Sequence, residues 1–343
     1  MSRKKFFMFI LLIGLLINLI ITNARCGEPV TIRIVSSPMG TGSYFFAFKL
    51  AEIINKKHSW VKVEAVEGMG AVANIKWLIK NPSAKKNTIL NATHLAYDFS
   101  KKGLQPFEKG YKEIMGSELK IIFGQYNMFH TFITLDPKIK TINDLIGKRV
   151  ALPSRAQPSG YVQEWLLKKY GIWEKIKPQF LDFKPGATTL SDGLVDACNC
   201  NILLEKPGEY SAIAAFAELL ATKNVFLIDS GDPKYLLDLG KEKGIEIVPV
   251  NLIGRFNKKE IPQPMTTFYH GVAWVVDESM DEDVIYEVTK MLCKNIEEIR
   301  AVHPSMKSMT IKDLANISKE ENFHNGAKKF FKEVGLEIGF KGI

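Results

Sequence analysis

The sequence predicts an α/β fold of two lobes. Three observations carry this. Short β-branched runs alternate with apolar residues at helical spacing from about residue 30 onward. That strand–helix–strand–helix order argues for mainly parallel sheets covered by helices. Finally, 343 residues with 46% apolar and 24% charged content suffice for one large domain or two of roughly 150 residues. The same composition excludes a disordered or collagen-like chain, and four cysteines are too few for a disulfide scaffold.

The elements follow in order. Thr31 to Ser36 is a β-branched run closed by Ser36, Ser37, Pro38 and Gly40, and reads as the first strand. From Ser43 to Lys57, apolar Phe46, Leu50, Ile53 and Ile54 recur at i, i+4, i+7 and i+8, one face of a helix. Val61 to Val66 reads as a second strand ended by Gly68 and Gly70, and a helix through Ile75, Leu78 and Ile79 stops before Pro82. Thr88 to Ala92 and Leu119 to Gly124 are the third and fourth strands. Phe129 to Leu135 opens a second set. Ile142 to Ala151 reads as a short helix, a turn and a strand, and Pro153 to Gly160 is a polar loop before a helix from Tyr161 to Tyr170. Gln179 to Phe183, Ala197 to Ile202, Phe226 to Ile228 and Glu246 to Val250 are further strands. After Pro262 and Pro264, Thr267 to Val276 reads as one strand. An amphipathic helix follows through Val284, Val288, Met291, Leu292 and Ile299, and Phe323 to Phe331 is helical again.

The first residues read as an export signal. Arg3, Lys4 and Lys5 precede an unbroken apolar stretch of 12 residues from Phe6 to Ile17, and Ala24 offers a small residue for cleavage. That stretch is short for a membrane span of about 20 residues. An uncleaved anchor is the alternative, and lipidation at Cys26 is disfavoured by Arg25 before it. The mature chain is therefore expected outside the cytoplasm, in the periplasm or on the extracytoplasmic face.

A net charge of +9 raises the question of nucleic acid, yet only seven of the 46 basic residues are arginine and acids are interleaved throughout. A lysine-rich solvated surface accounts for the charge, and no nucleic-acid partner is expected. Cys198 and Cys200 flank Asn199, so on a strand both thiols point to one face. They lack the spacing of a zinc site, and no metal or cofactor is expected.

Gly68-Met69-Gly70-Ala71-Val72-Ala73 has the outline of a dinucleotide fingerprint, but residues 87–93 hold no acid to bind a ribose. Gly40-Thr41-Gly42-Ser43-Tyr44 opens the first helix, where glycines admit a ligand close to the backbone and free N–H groups favour an anion. A nucleophile elbow is absent, and the six histidines at 58, 94, 130, 270, 303 and 324 form no base-and-orienter pattern in the sequence. No enzyme is expected.

The order of landmarks resembles the exported two-lobed solute receptors of TRAP transporters, the TAXI type, over about residues 30–335. The landmarks are Gly40 to Phe45 opening a helix that ends Leu50-Ala51-Glu52-Ile53-Ile54-Asn55, then Val66 to Asn74, then Ala96-Tyr97-Asp98. Ile142 to Val150, Asp192 to Ala197, Asn295 to Ile299 and His303-Pro304 follow. The resemblance implies a periplasmic-binding-protein architecture of the type II kind, with mixed or parallel sheets joined by crossing hinge strands. Residues 1–27 would be a signal peptide, 28–126 with 270–343 lobe one, and 127–269 lobe two; the stretches Ile121 to Leu135 and Thr267 to Val276 suit the crossings.

It also implies a monomer that holds a small organic anion, an amino acid such as glutamate or glutamine or another carboxylate, and delivers it to a membrane subunit. The expected ligand-binding residues are Thr41, Gly42, Ser43, Tyr44, Asn91, Gln125, Arg155, Ser159, Gly160 and Tyr161. Arg155 is singled out because arginine is scarce here and its planar fork suits a carboxylate. Two departures from the resemblance fall near the expected cleft: Cys198-Asn199-Cys200-Asn201 in place of small apolar residues, and Arg155 with Gln157 in the Pro153–Gly160 loop. An exported enzyme on the same scaffold and a sensor or adhesion protein are the other readings.

Overall fold

The computed structural model describes residues 29–340; the expected signal segment and Cys26 lie outside them. Strands are numbered in chain order, as are helices of more than two turns. The first sheet joins β1 (Val30–Val35), β2 (Val61–Val66), β3 (Thr88–Thr93), β4 (Leu119–Gly124) and β15 (Val272–Asp277) in the order β2-β1-β3-β15-β4. β1 pairs parallel with β2 and β3, whereas β15 runs antiparallel to β3 and β4. Helices α1 (Gly42–Lys57), α2 (Ala71–Lys80) and α3 (His94–Lys102) connect these strands, and α7 (Glu282–Lys294) and α8 (Asn325–Glu333) return to the same lobe.

The second sheet is built on β5 (Met128–Thr134), which pairs antiparallel with β8 (Ala197–Lys206) and with β14 (Met265–Tyr269). β6 (Arg149–Pro153) lies parallel to β7 (Lys177–Leu181) and β8, while β10 (Phe226–Ile228) and β11 (Pro249–Leu252) pair with β5 and β14. The short β9 (Glu209–Ala212), β12 (Arg255–Phe256) and β13 (Lys259–Glu260) extend the far edge. Helices α4 (Pro158–Lys169), α5 (Phe183–Ser191) and α6 (Pro233–Lys243) cover it. The molecule is thus a mixed α/β protein of two lobes, as expected.

The chain crosses between the sheets twice. Residues 125–127 join β4 to β5, and residues 270–271 join β14 to β15. The crossings lie side by side: Gln125 N donates to Val272 O at 2.9 Å, Val272 N to Tyr126 O at 3.1 Å and His270 N to Met128 O at 2.7 Å. Neither crossing is a continuous strand, which corrects the expectation for Thr267–Val276. The reason is local. A Cβ on Gly271 would stand 2.1 Å from the Tyr269 hydroxyl, so only glycine passes there and the chain changes direction between sheets. The helix expected to run through Ile299 also ends early, because Asn295 Nδ2 donates to Met291 O at 2.7 Å and competes for the helical carbonyl.

Lobe one is centred on Trp274, fully buried and stacked on Phe46 with ring centres 5.0 Å apart. Burying a side chain of that size stabilises by about 2–3 kcal/mol. In lobe two, Phe129, Ile133, Phe216, Cys198 and Cys200 pack in one cluster, and both thiols are free. The lobes meet along α3 and α4, where Phe99 lies 5.2 Å from Trp165 and 6.2 Å from Tyr161. On that side Glu246 N reaches Asp98 Oδ2 at 3.4 Å, and elsewhere Ser308 Oγ donates to Leu204 O at 2.9 Å.

Candidate functional site

Lobe one contributes a floor of buried amides. Thr41 caps α1, its hydroxyl donating to Pro38 O at 2.8 Å and accepting from Tyr44 N at 3.2 Å. That start sets Ser43 on the inner face of α1, where its Oγ donates to Gln125 Oε1 at 3.0 Å. Trp274 Nε1 donates to the same oxygen, also at 3.0 Å. Gln125 follows β4 directly and is fully buried; with its oxygen used twice, its Nε2 has no partner. Asn91 on β3 faces Trp274 across the antiparallel pair and accepts from Ser37 Oγ at 2.6 Å. Its buried Nδ2 is also without a partner.

A chain of polar side chains then runs from α4 to α3 through the crossings. Strand β8 alternates Cys198 and Cys200 with Asn199 and Asn201, so the thiols enter the lobe-two core and the amides face the other way. Gln163 on α4 donates Nε2 to Asn199 Oδ1 at 2.8 Å, and His130 Nδ1 on β5 lies 3.3 Å from the same oxygen. His130 Nε2 meets His270 Nδ1 at the second crossing. The His94 ring at the start of α3 stands 6.1 Å from that of His270, and its Nδ1 accepts from Gly271 N at 3.0 Å.

Most of these groups keep one polar atom open. Ser159 Oγ, Gln163 Oε1, Asn199 Nδ2, Asn201 Oδ1, His270 Nε2 and His94 Nε2 are buried without a hydrogen-bond partner. Native interiors leave few such atoms, because each costs about 1–3 kcal/mol. A concentration of them between two lobes marks a surface shaped for polar company. Burial pushes the imidazoles toward the neutral form: His94 down to about 4, His130 to about 3 and His270 well below its ordinary range. The buried histidines are therefore uncharged near neutral pH.

Of the residues expected from the sequence, Ser43, Asn91 and Gln125 come together in lobe one, and Ser159 stands one helical turn before Gln163 on α4. Thr41, Gly42 and Tyr44 shape the start of α1. A Cβ on Gly42 would meet Ser305 Oγ at 2.2 Å, and Tyr44 packs on Phe48 with ring centres 4.4 Å apart. Gly160 presses against Pro153 O, and Tyr161 OH donates to Arg155 O at 3.2 Å. The Arg155 guanidinium pairs with Glu164 and lies 3.9 Å from the Phe180 ring centre.

The sequence list omits His94, His130, His270, Gln163, Asn199 and Asn201. The two asparagines carried a signal in their alternation with cysteine. The histidines carried none: that 94, 130 and 270 are neighbours follows only from how strands β5 and β14 and helix α3 are placed. Among the described residues no cluster of histidine, cysteine and acid is arranged to hold a metal ion. The Gly68 turn serves packing, since a Cβ there would lie 2.0 Å from Ser36 O.

The sequence model of the NMT1-like family matches residues 34–335. Among solved structures, MatC from Rhodopseudomonas palustris with bound malate superposes with a TM-score of 0.51 at 10% identity, covering 89% of this chain and 97% of that one. The periplasmic binding protein BugD gives 0.50 at 13% identity, with 90% and 98% covered. The aliphatic sulphonate binding protein SsuA from Escherichia coli gives 0.44 at 13% identity, with 83% and 81% covered.

Proposed function

Since this chain belongs to the NMT1-like family, we propose that it is an extracytoplasmic solute-binding receptor holding a small organic anion between its lobes. The observation that carries the reading is the polar chain from Gln163 to His94, buried beside both crossings with several polar atoms left without a partner. A closed site of this kind excludes water, so each polar contact to a ligand strengthens. The N-termini of α1, α3 and α4 add backbone N–H groups favourable to a carboxylate.

Ser43, Asn91, Gln125 and Ser159 contact the ligand in this reading, together with Asn199 and the His94–His270 end of the polar chain. Thr41, Gly42, Tyr44, Gly160 and Tyr161 hold the walls, and Arg155 stands at the rim. Residues 28–126 with 270–343 move as one lobe against 127–269, the crossings acting as the hinge. The ligand is an amino acid or another carboxylate, as the malate in the MatC structure encourages. The resemblance to TAXI receptors makes the partner a TRAP transporter membrane subunit, which would take the ligand from the closed form. Binding is reversible and without turnover: the buried histidines pair with each other, with Asn199 and with backbone.

The test is a thermal-shift panel of amino acids and mono- and dicarboxylates. A melting temperature that rises with ligand concentration is expected. Chemical conversion of a bound candidate, seen by mass spectrometry, would favour an enzyme on this scaffold instead.

A further inference from the structure

The hydrogen-bond partners of the three buried histidines assign their tautomers. Asn199 Oδ1 can only accept, so His130 Nδ1, 3.3 Å away, carries a hydrogen. A neutral His130 then has a lone pair on Nε2, and His270 Nδ1, which meets it, must be the donor. That leaves a lone pair on His270 Nε2, buried and without a partner. On the other ring, Gly271 N donates to His94 Nδ1 at 3.0 Å, so His94 Nε2 carries a hydrogen, likewise buried and without a partner. Two neighbouring rings, 6.1 Å apart, thus present one open donor and one open acceptor.

A carboxylate offers lone pairs only. It satisfies His94 and opposes the lone pair of His270, and burying its charge without a cation is costly. Arg155 does not supply one, because it is held by Glu164 and Phe180. The titratable groups bearing on His270 are His130 from β5 and His94 from α3, with the Tyr269 phenol stacked against His94 at 4.8 Å. A proton on His270 Nε2 resolves both difficulties. It turns the acceptor into a second donor and supplies the positive charge, while His270 Nδ1 keeps its hydrogen bond to His130.

We infer that the site takes up its carboxylate together with one proton from solvent, which binds His270 Nε2 beside the His94 donor. This rests on the anion-receptor reading above. Depressed as they are in the free protein, the imidazoles are ready to gain a proton only when an anion arrives.

Calorimetric titration of the protein with malate, succinate and glutamate tests it, in pairs of buffers of different ionisation enthalpy from pH 6.5 to 8.5. The expected result is uptake approaching one proton per bound carboxylate at the acid end. Affinity should fall by about tenfold per pH unit where uptake is one proton, and level off where uptake declines. His270→Gln should bind with no proton uptake and a flat pH profile. Should that variant not fold, the proton count of the unmodified protein decides alone. Carboxylate binding that is independent of buffer and pH overturns the proton step but leaves the receptor reading standing. Equal affinity for the neutral diamide of malate, which brings its own donor and acceptor, overturns it too. A panel in which no carboxylate binds overturns both.

Discussion

His130 and His270 meet ring to ring where the two crossings between the sheets run side by side, Nε2 of one against Nδ1 of the other. Their positions in sequence are 140 residues apart, and only the pairing of β5 with β14 joins them. The contact ties the geometry of the two crossings to the protonation of the buried histidines.

Stability should therefore fall with acid sooner than the carboxylates alone would require. Folding lowers the histidines from an ordinary 6.5 to about 4 for His94 and about 3 for His130. The unfolded chain binds protons first, so stability present above pH 6.5 is lost as pH falls toward 4. His94 alone accounts for on the order of 2 kcal/mol by pH 5. Asp98 works the other way, since burial raises it to about 6 and its protonation favours the folded form in the same window. Three histidines outweigh one aspartate. Melting temperatures between pH 7 and 4.5 should drop, and less so in His130→Gln; a flat profile would contradict the buried neutral cluster.

Gln125→Leu should destabilise the protein by about 1–3 kcal/mol in urea unfolding. The substitution leaves Ser43 Oγ and Trp274 Nε1 buried without their shared acceptor. An unchanged midpoint would mean that the two donors find another partner.

Arg155→Ala should cost stability no more than about 1 kcal/mol, because the side chain is 43% exposed and its pairing with Glu164 is screened by solvent. Its effect on affinity separates two roles. With the guanidinium held by Glu164, a loss below tenfold is expected. A loss of a hundredfold or more would show that the arginine leaves Glu164 to grip the ligand.

Much of the fold was legible in the sequence because period is a local property. The runs Val61–Val66 and Leu119–Gly124 read as strands and are strands with those bounds. Breaks caused by tertiary contacts were not legible. Gly271 looks like one small residue in an apolar run until the Tyr269 hydroxyl is seen beside it. The site divides the same way. Ser43 and Ser159 were marked by loops that open helices, a local signal. His94, His130 and His270 sit in unremarkable contexts and acquire a role only through sheet pairing. Arg155 was marked by scarcity, and scarcity says nothing of the Glu164 nine positions on that engages it.

The central claim is that one small anion is held by open amides contributed from both lobes. Calorimetric titration of the strongest carboxylate from the thermal-shift panel tests it most directly, comparing the unmodified protein with Asn91→Ala and Asn199→Ala, one from each lobe. The account predicts saturable one-to-one binding, weakened by roughly tenfold to a hundredfold in each variant with cooperative unfolding retained. Saturable binding that neither substitution weakens, or weakening confined to one lobe, would contradict it.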